Sequence, residues 1–141
     1  MSLHPYLFFT NTTREAMTRY QEILGGQLDI MNVADLPPGE SMGDDVPDTA
    51  VAHAALTLGE HDMLMASDDP SGDGTGVKGA SIHLGVADAA EARRIFDALA
   101  DGGRIEMELE PTFWSPLFGS CVDRFGVSWM IDVATDQTPG S

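Results

Sequence analysis

Apolar and polar residues alternate along this chain in an order that predicts a strand, a helix and three further strands. The apolar stretch over residues 3–10 predicts the first strand. Ala16, Met17 and Tyr20 then start a helical spacing of apolar residues that ends at Gly25-Gly26. The three later strands are predicted over residues 27–33, 49–58 and 62–67.

The second half of the chain follows the same plan. Residues 80–86 predict a strand, and the following helix has an apolar face that includes Ile95 and Phe96 and ends at Gly102-Gly103. Three strands are predicted after it, over residues 104–110, 117–123 and 127–133. Two capping pairs, one at the start of each helix, are predicted by Thr12 with Glu15 and by Asp88 with Glu91.

These elements predict an α+β fold of two tandem βαβββ modules. We expect one domain over residues 1–141, with module 1 at about 1–67, a linker at 68–79 and module 2 at about 80–135. A long loop over residues 34–48 belongs to the first module only. Each half is too small to bury a core alone, so we expect curved sheets around a shared cleft with the helices outside.

The charge balance excludes some classes of partner. Lys and Arg number 7 against 23 acidic residues, which gives a net charge of −16, and such a surface repels nucleic acids and anionic membranes. No apolar run approaches the roughly 18 residues that a membrane helix needs. The N-terminus shows no signal peptide, and the single cysteine, Cys121, cannot form an internal disulfide. We therefore expect a cytoplasmic protein.

Several short motifs occur in order over nearly the whole chain. They are Pro5-Tyr6-Leu7-x-Phe9, Ala16 with Tyr20 and Gly25, the run from Pro47 to Ala54, Ile105-Glu106-Met107, Thr112-Phe113-Trp114 and the run from Asp123 to Ile131. Together they resemble the PhnB-like branch of the vicinal-oxygen-chelate superfamily, which includes glyoxalases, extradiol dioxygenases, fosfomycin-resistance enzymes and bleomycin-sequestering proteins. The resemblance implies the fold and a homodimer, whereas the activity depends on the site that each member carries.

The resemblance also implies a divalent metal, zinc, nickel, manganese or iron, held by strand residues that face the cleft. Position by position, His4 stands at the ligand position of the first strand, and His53 stands where a glyoxalase has a carboxylate. The corresponding positions of the second module hold Ser81 and Met130, although His83 follows Ser81 by two residues and shares its face. The family's ligand set is therefore incomplete in this chain.

Two functional hypotheses remain open from the sequence. The first is a protein that binds a small molecule without a metal; its ligand-binding residues would be His53, His83, Phe113, Trp114 and Trp129. The second is a metal-dependent enzyme of glyoxalase, dioxygenase or epoxide-opening type, with His4 and His53 among the metal ligands. His83 and Trp129 also fit core positions, and His53 and Phe113-Trp114 fit a structural or a functional role equally well.

Three glutamates, at positions 106, 108 and 110, alternate with Met107 and Leu109. A period of two predicts that all three lie on one face of the strand. A solvated sheet face is the expected role, and a carboxylate in the cleft is the alternative.

Overall fold

The computed structural model describes residues 1–37, 39, 46–69, 71, 72, 74 and 76–133. The chain divides into two compact units, Met1–Gly76 and Val77–Ser141, and the boundary lies inside the predicted linker segment. Parts of the predicted loop 34–48 and the predicted end of module 2 near residue 135 lie outside the described residues. Each unit contains a four-stranded sheet and one α-helix, which confirms the predicted two-module α+β fold.

Module 1 consists of β1 (Tyr6–Phe9), α1 (Thr13–Leu24), β2 (Gln27–Asn32), a short 3-10 turn (Val33–Asp35), β3 (Val51–Thr57) and β4 (Met63–Asp68). The strand order is β1-β4-β3-β2, with β1 parallel to β4 and the other neighbours antiparallel. The buried face of α1, which includes Met17 and Tyr20, packs on β2, β3 and β4. The sheet contributes Ala54, Leu56 and Leu64 to this core.

Module 2 repeats the arrangement with β5 (Ile82–Val86), α2 (Ala89–Ala100), β6 (Arg104–Glu110), β7 (Phe118–Val122) and β8 (Ser128–Val133). The order is β5-β8-β7-β6, and β5 is parallel to β8. Helix α2 packs Ile95, Phe96 and Leu99 on the sheet, which buries Trp129 and Ile131. Within the described part of the chain, no helix is long and apolar enough to cross a membrane.

One face of each sheet packs on the helix, and alternate residues lie on the other face, which we call the open face. In module 1, Leu7 and Phe9 are buried, whereas Tyr6 and Phe8 between them are 39% and 60% exposed. In module 2 the same alternation places His83 and Asp132 on the open face. The shared cleft stays a prediction from the sequence.

The two helices begin differently. The Asp88 side chain accepts a hydrogen bond from the backbone N–H of Glu91 at 2.9 Å, which confirms the predicted cap of α2. The predicted capping box at Thr12 is wrong, because the Thr12 side chain makes no capping hydrogen bond. The first N–H of α1, on Thr13, is instead bound by the Asp68 carboxylate at the end of β4. A residue distant in sequence therefore replaces the local cap.

The three glutamates of β6 are all exposed, as the predicted solvated face requires, but β6 does not alternate strictly as a period of two predicts. The β6–β7 register shifts twice, between Ile105 and Met107 and between Met107 and Glu110. As a result Ile105 lies opposite Cys121 but Met107 lies opposite Ser120, and strict alternation is lost. Bulges of this kind depend on the partner strand, so the period of the β6 sequence does not show them.

Candidate functional site

The open face of module 2 carries a histidine and a carboxylate on neighbouring strands. His83 lies opposite Met130, and Gly85 lies opposite Asp132, so the histidine and the aspartate are diagonal neighbours. The distance from His83 Nε2 to Asp132 Oδ2 is 3.2 Å. The His83 side chain is 56% exposed and the Asp132 side chain 24% exposed, so the imidazole stays accessible while the carboxylate lies behind it.

The second oxygen of Asp132 accepts a hydrogen bond from the hydroxyl of Ser115. Ser115 belongs to the loop between β6 and β7, which closes on itself because Thr112 Oγ1 accepts from the Ser115 N–H at 3.1 Å. The carboxylate therefore lies between the hydroxyl and the imidazole. A hydrolytic triad needs the imidazole in the middle, so this order does not make Ser115 a nucleophile. It makes Asp132 a group that holds both neighbours in place.

The same loop presents two aromatic side chains. Phe113 is 96% exposed and Trp114 is 52% exposed. The Trp114 ring lies edge-on to Phe113, with ring centroids 4.7 Å apart, and to Phe118, with centroids 5.6 Å apart. Phe118 pairs with Asp132 in the β7–β8 ladder, so the aromatic rings adjoin the polar pair. We call Phe113, Trp114, Phe118, His83 and Asp132 the aromatic–imidazole patch.

The open face of module 1 carries a second histidine with an aromatic partner. The Tyr6 hydroxyl is 3.1 Å from His53 Nδ1, and the two ring centroids are 5.7 Å apart. Phe8 lies next to Tyr6, with a centroid distance of 5.2 Å. His4, the other predicted metal ligand, is half-buried in the segment that precedes β1. His53 thus has an aromatic and phenolic environment.

Trp129, one of the predicted ligand-binding residues, lies on the opposite side of the module 2 sheet. It is 1% exposed, and its indole N–H donates to Asp123 Oδ2 at 2.8 Å. Its ladder partners are Ile82 and Cys121. Because the side chain is enclosed in the helix-facing core, it offers no surface to a ligand on the open face.

The described residues do not fit the metal that the family resemblance implies. A catalytic divalent metal of this kind needs about three protein ligands. No three His, Cys, Asp or Glu side chains in the described ranges come together as a metal-binding group. Ser81, at the family's ligand position in module 2, has its hydroxyl hydrogen-bonded to the hydroxyl of Ser128 at 2.6 Å. His83 has one carboxylate beside it, that of Asp132. The metal-dependent alternative is therefore not favoured.

Three residues of these sites were not predicted from the sequence, namely Asp132, Ser115 and Tyr6. Asp132 had a usable signal, because it lies two residues after Met130 and so shares its face, as His83 does with Ser81. His83 and Asp132 each lie two residues after the position where the family has a metal ligand. Ser115 and Tyr6 had no such signal, since their roles depend on tertiary contacts.

Comparison with known proteins gives consistent matches over the chain. A family model described as 3-demethylubiquinone-9 3-methyltransferase matches residues 1–132. Protein YjdN of Escherichia coli (strain K12) is 36% identical over 145 residues, which cover 97% of this chain and 98% of that protein. Protein PA1353 from Pseudomonas aeruginosa is 44% identical; the match covers 96% of this chain and 99% of that structure, with a TM-score of 0.82.

Two further structures extend the likeness. A PhnB protein from Bacillus cereus is 26% identical, and the match covers 95% of this chain and 100% of that chain, with a TM-score of 0.74. A glyoxalase / bleomycin resistance protein from Catenulispora acidiphila, at 16% identity, covers 96% of this chain and 99% of its own; its TM-score of 0.56 shows the shared fold. The chain therefore belongs to the family described as 3-demethylubiquinone-9 3-methyltransferase, as the predicted PhnB-like resemblance implied.

Proposed function

We propose that this protein binds a small, neutral and largely planar molecule at the aromatic–imidazole patch, without using a metal. The main support is the exposure of Phe113 and Trp114. They lie on a loop that is held by its own hydrogen bonds next to the His83–Asp132 pair. Ligand sites are commonly apolar surfaces with a few fixed polar groups. This patch has both, and its polar groups are held by hydrogen bonds before a ligand arrives.

The charge of the protein disfavours an anionic ligand. With a net charge of −16, the surface as a whole repels anions. The Asp132 carboxylate adds a local negative charge behind the imidazole. A flat apolar ring covering Trp114 removes exposed aromatic surface from water, which stabilises the complex by roughly 25 cal/mol for each Å² buried.

The proposal includes His53 with Tyr6 as a second contact surface for the same class of ligand. Support comes from its polar and aromatic character and from its place on the open face of module 1. His53→Ala should weaken ligand binding, whereas His61→Ala, at an 89% exposed hairpin histidine, should leave it unchanged. Equal affinities for the two variants would show that His53 is not part of a second contact surface.

The methyltransferase activity in the family description is not part of this proposal. Nucleotide cofactors bind where a glycine-rich turn joins a parallel strand to a helix. Here the strand-to-helix turns are Thr10-Asn11-Thr12 and Ala87-Asp88, and the glycine pairs follow the helices instead. The turns thus lack the close backbone approach that a nucleotide needs.

Tryptophan fluorescence tests the proposed site directly. The chain has two tryptophans, of which Trp114 is half-exposed and Trp129 is buried. A ligand on the patch should protect Trp114 from acrylamide, and Trp114→Ala should weaken binding about tenfold or more, by loss of a central aromatic contact.

Ile105→Ala is the matched control, because Ile105 is also exposed in module 2 but pairs with Cys121 on the helix-facing side. A screen of neutral aromatic compounds that shows no protection of Trp114, or equal binding by Trp114→Ala and Ile105→Ala, would contradict the proposal.

We further propose a cytoplasmic homodimer that does not bind nucleic acid. The dimer is supported by the family resemblance and by exposed apolar side chains on the open face of module 1, Phe8 and Met31. The cytoplasm suits the single free Cys121, and the net charge disfavours nucleic acid. Sedimentation of the native protein at several concentrations tests the dimer, which a purely monomeric species would contradict.

A further inference from the structure

We propose that Asp132 fixes the His83 imidazole so that the patch selects planar ligands that donate one hydrogen bond, an aryl N–H or O–H, to His83 Nδ1. This inference rests on the proposed function and names its ligand class. The polar contact then has a direction, because His83 accepts the hydrogen bond and the ligand donates it.

The direction follows from the chemistry of the pair. An ionised carboxylate only accepts hydrogen bonds, so the His83 nitrogen beside Asp132, Nε2, carries the hydrogen. In a neutral imidazole the other nitrogen, Nδ1, is then an acceptor. No described residue donates to Nδ1, and the side chain is 56% exposed. A ligand that donates would satisfy this acceptor.

The carboxylate is itself held in place. Its Oδ1 atom accepts from the Ser115 hydroxyl, and Ser115 directly follows Trp114 in the chain. The Ser115 backbone N–H is bonded to Thr112 Oγ1, so the loop that presents the aromatic rings also holds Asp132. The ring surface and the imidazole therefore keep a fixed relation, which allows one rigid ligand to meet both.

Indole and 1-methylindole form a matched probe pair for this inference. Both are neutral and planar, and indole has an N–H donor that the methyl group of 1-methylindole replaces. Binding is measured by NMR titration of the full-length 15N-labelled protein. One hydrogen bond of ordinary net strength predicts that indole binds about fivefold more tightly. His83→Ala should abolish this preference, so that the two probes bind with equal affinity, whereas His61→Ala should keep the preference.

Asp132 acts through His83, so its test needs a signal that general destabilisation does not change. Long-range 1H–15N spectra of the native protein should show the Nε2–H tautomer of His83. Asp132→Ala should give mixed tautomers and reduce the ratio of the indole affinity to the 1-methylindole affinity. Asp132→Leu, which has a side chain of similar size and cannot accept a hydrogen bond, serves if the alanine variant does not fold. An Nδ1–H tautomer in the native protein would overturn the inference without any variant.

The outcomes separate this inference from the proposed function. If both probes bind equally and Trp114→Ala weakens both, the aromatic site stands and the donor selectivity is overturned. If neither probe binds at millimolar concentration, the proposed site fails and the inference fails with it. Tighter binding of indole that depends on His83 and Asp132 is the result that supports both.

Discussion

Two buried aspartates explain why some of the motifs that carry the family resemblance exist. Asp123 accepts backbone hydrogen bonds from Phe125 and Val127, at 2.8 and 3.0 Å, and the indole hydrogen bond of Trp129. Asp68 accepts from the backbone N–H groups of Thr13 and Val51, at 3.1 and 2.9 Å. The run from Asp123 to Ile131 is thus a folding motif that closes the β7–β8 turn.

Asp123→Asn should destabilise module 2 by about 2 kcal/mol, because the amide group places an N–H donor against another donor. The measurement is the midpoint of urea unfolding. Asp97→Asn is the control, since Asp97 is 60% exposed and its ion pair with Arg93 contributes little. Equal midpoints for the two variants would show that the Asp123 network does not stabilise the fold.

The thiol of Cys121 should be unreactive in the native protein. Burial, with a smaller effect of the Asp123 charge, raises the pKa of Cys121 to about 11. The thiolate is the reactive form, so little of it exists at pH 8 in the folded chain. Labelling by Ellman's reagent should be slow in native buffer and complete in guanidinium chloride. Rapid labelling of the native protein would contradict this burial.

The same shift affects stability at high pH. Because the folded pKa lies above the unfolded one, the native state holds its proton longer as pH rises. The Cys121 thiol therefore contributes to the free energy of unfolding. This contribution is fully present below the unfolded pKa of about 8.5 and is lost as pH rises toward the folded pKa of about 11. Cys121→Ser, compared with the native protein, should lack this loss of stability between these pH values.

At the scale of elements, the two helices offer a matched comparison of caps. Asp88→Ala should destabilise the protein by about 1 kcal/mol, because it removes the hydrogen bond to the Glu91 N–H at the start of α2. Thr12→Ala should cost less than about 0.5 kcal/mol, because the Thr12 side chain makes no capping bond and Asp68 serves α1 instead. Both changes are measured by urea unfolding. A larger loss for Thr12→Ala would contradict the assignment of the caps.

The sequence predicted most elements because local signals agree with the fold. Apolar periodicity placed both helices, and the pairs Gly25-Gly26 and Gly102-Gly103 marked their ends. The second glycine of each pair also has a tertiary reason: a Cβ on Gly26 or Gly103 would overlap the backbone of the following hairpin, at Thr57 or Val122. What the sequence did not predict depends on partner strands, namely the cap from Asp68 and the register shifts of β6.

The candidate site was predictable only in part for the same reason. His83, Phe113 and Trp114 were singled out by residue type, and the structure places them near one another through Phe118 and Asp132. The residue type of Trp129 suggested either a ligand-binding or a core position, and the fold encloses it in the core. Whether these residues bind a ligand stays a prediction.

At the scale of the whole molecule, ligand binding should not depend on a divalent metal. The described residues provide no three-ligand group, so zinc, nickel, manganese or iron should leave the affinity for an aromatic ligand unchanged. Calorimetric titration with and without chelator measures this. Loss of affinity after chelation, restored by one metal ion per chain, would contradict the metal-free account.

Ligand binding at the aromatic–imidazole patch is tested most directly by a 1H–15N NMR titration that follows the two tryptophan indole N–H signals. Trp114 lies on the patch, whereas Trp129 is buried and bonded to Asp123, so the two signals report on the two faces of one sheet. We expect indole to shift the Trp114 signal, assigned by Trp114→Phe, and to leave the Trp129 signal in place. A shift of Trp129 alone, or of neither signal, would contradict it.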